Sequence, residues 1–251
     1  MTKDFAGKTV IVTGAGSGIG KACAVELSVR GANTVVADLD KEHADAVVEQ
    51  ILTDGGKAAA FALDVGDAAA VKEMVDFAVK TFGGLHGAVN NAGIGGPLKP
   101  IGDYEIDEWR MVLDVNLNGV FYCMKYELAA MLESGGGSIV NMSSILGTNG
   151  FATASAYVAS KHALVGMTKT AAIEYSAKGI RVNAVAPGFI RTPMVEEGLG
   201  EEALAGIAAL HPIGRLGTPQ EVAALTLFLL SDRASFITGS YHLVDGAYAA
   251  Q

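Results

Sequence analysis

The chain has 251 residues and a formal net charge of −9, from 18 Lys and Arg against 27 Asp and Glu. That balance argues against a nucleic-acid partner, which needs clustered cations that displace counterions, and no basic stripe is present. Hydrophobic residues make up 50% of the chain, yet no apolar run approaches the ~18 residues of a membrane-spanning helix.

The excess apolar content is therefore expected in a core or an interface, and the length suits one large α/β domain covering residues 1–251. The amino terminus, Met1 to Lys8, lacks the charged, apolar and small-residue order of a secretion signal, so a cytoplasmic protein is expected.

Short β-branched runs alternate with longer Ala-rich stretches of helical character. The predicted strands are Thr9 to Val12, Thr34 to Ala37, Ala58 to Leu63, Gly87 to Asn90, Ser138 to Met142, Arg181 to Val185 and Tyr241 to Val244. This is the rhythm of repeated βαβ units. Runs such as Thr9-Val10-Ile11-Val12 are apolar nearly throughout, as strands covered by helices on both faces should be. The expected fold is a Rossmann-like, doubly wound α/β sandwich around a parallel sheet of about seven strands. Cys23 and Cys123 fall in helical stretches and read as reduced core thiols. The five histidines show no ligand spacing, so no metal is expected.

Directly after the first strand comes Thr13-Gly14-Ala15-Gly16-Ser17-Gly18-Ile19-Gly20, then a helical run. A glycine-rich strand-to-helix turn lets backbone N–H groups and a helix N-terminus approach a pyrophosphate. The strict GxGxxG spacing is absent, because Ile19 stands where its last glycine would be; the pattern is Gly14-xxx-Gly18-x-Gly20. The second strand runs into Asp38, whose carboxylate can accept from both ribose hydroxyls and would repel a 2′-phosphate, selecting NAD over NADP. Asp38 could also serve as a turn cap together with Asp40. Asp64-Val65 and Asn90-Asn91-Ala92-Gly93 follow the next two strand ends, where they could meet the adenine and the body of a dinucleotide or simply make turns.

Further along stand Ser143-Ser144 and then Tyr157-Val158-Ala159-Ser160-Lys161. Tyr157 and Lys161 share one helix face. A neighbouring ammonium favours the phenolate and would bring proton exchange by Tyr157 closer to neutral pH. The stretch from Pro187 to Pro212 is irregular, carries Pro193, Gly198, Gly200 and Gly206, and follows a strand end; residues 188–212 are the expected substrate lid.

With these pieces in order, the chain resembles the short-chain dehydrogenase/reductase family in its single-domain form. The likeness spans the whole chain and rests on Thr13-Gly14-xxx-Gly18-x-Gly20, Asn90-Asn91-Ala92-Gly93, Asn116, Ser144, Tyr157-xxx-Lys161 and Pro187-Gly188. It implies that Tyr157 exchanges the proton, that Ser144 holds the substrate oxygen, and that Lys161 lowers the tyrosine pKa and binds the nicotinamide ribose. Asn116 would hold a water linking Lys161 to solvent. Ser144 is preferred to Ser143 because it lies thirteen residues before Tyr157, the usual family separation. The cofactor would be NAD, cradled by Gly14, Ser17, Gly18, Ile19 and Gly20, with Asp38, Asp64, Val65, Asn91, Ala92 and Gly93 along it. Pro187, Gly188, Ile190 and Thr192 would lie near the nicotinamide amide.

The pocket walls expected from proximity are Gly95, Gly96, Pro97, Ile145, Leu146, Asn149, Ser155, Phe189 and Met194, mostly small or apolar. No Arg or Lys lies between Ser144 and Tyr157 to grip an anion, so a neutral secondary alcohol or ketone is expected; Arg191, beside the expected lid, could bind an anion or serve only at the surface. The alternatives are a 3-oxoacyl thioester reductase, which Asp38 and the acidic charge disfavour, and a nucleotide-sensing protein without turnover, which the intact Ser144, Tyr157, Lys161 and Asn116 disfavour. The resemblance also implies a homotetramer.

Overall fold

The computed structural model describes residues 3–196 and 200–251. Seven parallel strands form one sheet in the order β3-β2-β1-β4-β5-β6-β7. They are β1 (Thr9–Thr13), β2 (Asn33–Asp38), β3 (Lys57–Ala62), β4 (Gly87–Asn90), β5 (Gly137–Met142), β6 (Ile180–Pro187) and β7 (Tyr241–Val244). The predicted strands are these seven, displaced by a residue or two at some ends.

Among the described residues nine α-helices connect them: α1 (Gly18–Val29), α2 (Lys41–Thr53), α3 (Ala68–Phe82), α4 (Ile106–Leu113), α5 (Gly119–Glu133), α6 (Ser155–Tyr175), α7 (Pro193–Glu196), α8 (Glu201–Ala209) and α9 (Pro219–Leu230). Local chemistry sets their ends. Asp40 caps α2 by accepting from the N–H groups of Glu42 and His43. Thr218 and Glu221 form a capping box around Pro219 at the start of α9. Helix α3 stops at Gly83, whose φ of 87° is a left-handed stop that glycine adopts without strain.

Alternation along β1 divides the core in two. Val10 and Val12 join α1, α2 and α9 on one face through Leu27, Val47 and Leu227. Ile11, pointing the other way, joins α3, α5 and α6 through Met74, Leu128 and Leu164. All of these are essentially inaccessible to solvent, and each such side chain is worth about 1.5–3 kcal/mol of burial. Because both faces are covered, the polar edge where ligands can bind is the row of carboxyl strand ends. Thr13, Asp38, Asn90, Met142 and Pro187 all lie at that edge. Among the described residues, no helix is long and apolar enough to cross a membrane, and no cluster of ligating side chains could hold a metal ion.

Candidate active site

The glycine turn after β1 is shaped by close approaches. Gly14 has a φ of 61°, and a Cβ there would stand 2.9 Å from the Ala92 Cα; at Gly20 it would fall 2.1 Å from the Gly14 carbonyl oxygen. Helix α1 begins at Gly18 with Ser17 at its cap position, yet no side chain caps it. Its first N–H groups stay available to an anion. Asp38 reaches into the same turn, where Oδ2 accepts the Gly16 N–H at 2.7 Å and Oδ1 accepts the Asp40 N–H at 3.0 Å. Each carboxylate oxygen has a second lone pair left for a ribose hydroxyl. An uncapped helix start, a glycine-rich turn and a carboxylate at the second strand end fit a dinucleotide.

The other residues expected along a cofactor are placed as follows. Asn91 braces the turn from beneath, its Nδ2 donating to the carbonyls of Thr13 at 2.9 Å and Gly14 at 3.1 Å. Asp64 makes a turn by accepting the Gly66 N–H at 2.8 Å, and Val65 is buried against Gly119. Gly188, after Pro187, donates to the Val244 carbonyl at 2.9 Å. Ile190 sends its side chain into the core, and its backbone bridges to Gly217. Thr192 stands over Gly18, whose Cβ would be 3.2 Å from the Thr192 Cγ2, so the loop after β6 closes onto the glycine turn. Ile19 packs partly buried on the core.

At the ends of β4 and β5 four side chains converge. Asn116 lies in a π turn, Asp114–Asn118, between α4 and α5; such turns often mark functional sites. It is buried, accepting the Ile94 N–H at 2.8 Å and donating to the Ile94 carbonyl at 2.8 Å. A Cβ at Gly93 would stand 3.1 Å from Asn116 Oδ1 and 3.7 Å from Lys161 Nζ. Lys161 is 4% exposed. Its Nζ donates to the Met142 carbonyl at 2.8 Å and lies 5.4 Å from the centre of the Tyr157 ring. Burial lowers the Lys161 ammonium to about 8.

The sequence expectation was that Lys161 would lower the Tyr157 pKa. In the structure burial pushes the phenol up, and the opposing pull is a hydrogen bond with the Ser144 side chain. Desolvation outweighs that bond, and the Lys161 ammonium donates to the Met142 carbonyl. Ser144 Oγ also accepts the Leu146 N–H at 3.1 Å, whereas Ser143 Oγ donates to the Lys161 carbonyl at 3.1 Å, a helix-to-strand tie.

Several neighbours carried no local signal in sequence. Tyr241 Oη donates to the Ser144 carbonyl at 2.5 Å. His211, 3% exposed, accepts the Phe189 N–H through Nε2 at 3.1 Å and holds the Ile207 carbonyl through Nδ1 at 3.1 Å. Phe189 in turn packs edge-on against Phe151 and Tyr248. Of the expected pocket walls, Phe189 joins this aromatic group and Met194 is exposed, while Ile145 and Leu146 are buried. Of the expected lid, α7 and α8 are helical, and Glu197, Gly198 and Leu199 lie outside the described residues. Arg191 pairs with Glu196 at 3.5 Å on the surface. It borders a cleft of about 550 Å³ beside Lys21 and Gln220, which contains none of Ser144, Tyr157 and Lys161.

Residues 14–249 match a family model described as enoyl-(acyl carrier protein) reductase. The chain is 51% identical over 251 residues to a cyclohexanol dehydrogenase of Acinetobacter sp. (strain SE19), covering 100% of this chain and 98% of that one. It is 45% identical over 250 residues to a 2,5-dichloro-2,5-cyclohexadiene-1,4-diol dehydrogenase of Sphingobium indicum, covering 98% and 99%. The crystal structure of levodione reductase superposes with a TM-score of 0.95 at 36% identity, covering 98% of this chain and 99% of that one.

Proposed function

The chain belongs to the short-chain dehydrogenase/reductase family of nicotinamide-dependent oxidoreductases, and from that premise we propose that it interconverts a cyclic secondary alcohol and its ketone with NAD. The observation that carries this reading is the convergence of Ser144, Tyr157 and Lys161 beside Gly93. A bound nicotinamide supplies the hydride acceptor. Ser144 holds the substrate oxygen, and Tyr157 takes the hydroxyl proton on oxidation and returns it on reduction. Lys161, already near its titration point at about 8, passes that proton outward through a water held by Asn116. The turn from Gly14 to Gly20, together with Asp64, Val65, Asn91, Ala92 and Gly93, binds the rest of the cofactor, with Pro187, Gly188, Ile190 and Thr192 at its nicotinamide end. Asp38 confers the preference for NAD.

The names of the relatives support a ring substrate, to which the expected pocket-wall residue Phe189, packed edge-on against Phe151, would offer an apolar face. Residues 188–212 serve as the lid. Phe121 on α5 and Ile173 on α6, exposed at 51% and 84%, are offered to other copies in a homotetramer. A 3-oxoacyl thioester reductase is the second reading, favoured by a 3-oxoacyl-(acyl-carrier-protein) reductase of Thermotoga maritima that is 42% identical over 240 residues; the net charge of −9 weighs against an acidic carrier as partner.

The test is a spectrophotometric panel of cyclic and linear alcohols, ketones and a 3-oxoacyl thioester with NAD and NADP in parallel. NADH from cyclohexanol, lost in Tyr157→Phe while NAD still binds, is the expected result. Turnover of the thioester alone, or no turnover at all, would overturn it.

A further inference from the structure

Behind the candidate active site lies a buried carboxyl that the proposed chemistry does not use. Glu127 on α5 is 0% exposed, as are Asn116 and Asn141, and Asn90 is 1% exposed. Asn90 Nδ2 donates to Glu127 Oε2 at 3.0 Å and to Asn141 Oδ1 at 3.1 Å. Asn141 Nδ2 continues to Thr168 Oγ1 on α6 at 3.0 Å. Two atoms are left over: Glu127 Oε1 and Asn90 Oδ1 are both buried without a partner. Each is one carbon away from an atom of the bonded pair, and both are acceptors if Glu127 is ionised. An ionised carboxylate would then hold a buried charge with no cation paired to it, beside an orphan carbonyl, which is the costly arrangement. A proton on Oε1 turns one orphan into a donor for the other.

We propose that Glu127 works as an uncharged carboxylic acid whose Oε1–H is donated to Asn90 Oδ1, and that this acid–amide pair positions the cofactor turn and the lysine anchor. Asn90 precedes Asn91, which holds the Thr13 and Gly14 carbonyls. Asn141 precedes Met142, whose carbonyl holds Lys161 Nζ. Glu127 thus braces both from beneath without touching substrate or cofactor.

Its surroundings agree. The titratable group that interacts with Glu127 is Cys123, one turn back on α5, while Lys161 on α6 donates to the Met142 carbonyl. The faces of α3, β5 and β6 packed around α5 contribute Met74, Val75, Ile139 and Val182. Burial raises the Glu127 carboxyl to about 8, partly offset by the Asn90 bond.

The positioning role rests on the proposed reading of the site; the protonation does not, and the two are tested separately. Infrared spectra of the wild-type protein should show a protonated-carboxyl C=O stretch at pH 7 that fades as pH passes about 8 and is missing in Glu127→Gln. Carboxylate bands alone at pH 7 would overturn the protonation, for instance if a trapped water bridges an ionised Glu127 to Asn90. Glutamine can donate to Asn90 Oδ1 and accept from Nδ2 at any pH. Its kcat should therefore lie within about twofold of wild type at pH 6.5 and exceed it by about threefold or more at pH 9.5. Taking the ratio cancels the titrations of Tyr157 and Lys161, which both proteins share. A ratio that stays constant with pH would overturn the positioning role even where the infrared band is present.

Discussion

The Tyr241 hydroxyl donates to the backbone carbonyl of Ser144 at 2.5 Å, tying the last strand of the sheet to the candidate catalytic serine. Tyr241 also lies against Gly147, where a Cβ would stand 3.1 Å from its ring. The turn that aims Ser144 is therefore held from β7, at the far end of the chain.

Tyr241→Phe keeps the ring and deletes that bond, which is worth about 1 kcal/mol. If the bond acts chiefly by holding Ser144 in place, kcat falls about fivefold while the KM for NAD is unchanged. Steady-state kinetics check this; an unchanged kcat with a lower Tm would make Tyr241 a stabilising residue only.

Lys161 should cost stability in exchange for function. Below about 8 the native and the unfolded lysine are both protonated, and the native state bears the full desolvation cost. Between about 8 and 10.5 the native lysine is neutral while the unfolded one is still charged, so stability from this group rises with pH until the cost is gone. Lys161→Met, after allowing for the lost bond to Met142, should gain on the order of 2 kcal/mol at pH 7 and progressively less toward pH 10.5. Activity should be lost throughout. Thermal unfolding across pH tests this; a destabilised variant at pH 7 would refute it.

Asp38 accepts the Gly16 N–H in the glycine turn, and in the proposed reading it also holds the ribose; substitutions separate the two. Asp38→Ala removes the carboxylate, and the KM for NAD should rise about ten- to hundredfold as NADP becomes comparably accepted. Gly16→Ala keeps the charge but would place a Cβ 2.9 Å from Asp38 Oδ2 and 2.7 Å from His43 Cβ. It should weaken NAD without admitting NADP. Paired kcat/KM values for the two cofactors decide; NAD use untouched in Asp38→Ala would remove Asp38 from the ribose site.

His211 ties the loop after β6 to the end of α8 through Phe189 and Ile207. His211→Leu leaves the Phe189 N–H without its acceptor and should lower stability by about 1–3 kcal/mol. The alcohol KM should rise while the NAD dissociation constant holds, since His211 meets Phe189 and Tyr248 rather than the glycine turn. Weakened NAD binding with an unaltered alcohol KM would place its effect elsewhere.

Alternating apolar runs, the glycine turn, the acidic end of β2 and the Tyr157-Lys161 spacing were legible because each follows from the period or turn chemistry of a few neighbouring residues. They determined a parallel α/β sheet of about seven strands and named most residues along the carboxyl strand ends, whereas the order of the strands in the sheet came only from the structure. The π turn around Asn116 was not legible, because the helical pattern runs through α4 and α5 without a break in composition. Nor was the direction of the Tyr157 shift, which depends on how deeply the phenol is buried. Tertiary structure alone brought Tyr241 to Ser144, His211 to Phe189 and Glu127 to Asn90. The first of these pairs is separated by 97 residues and the third by 37. Such contacts arise from which strands become neighbours, as when β6 and β7 pair Pro187 with Val244, and from which helix face turns inward, and no local pattern of residues encodes either.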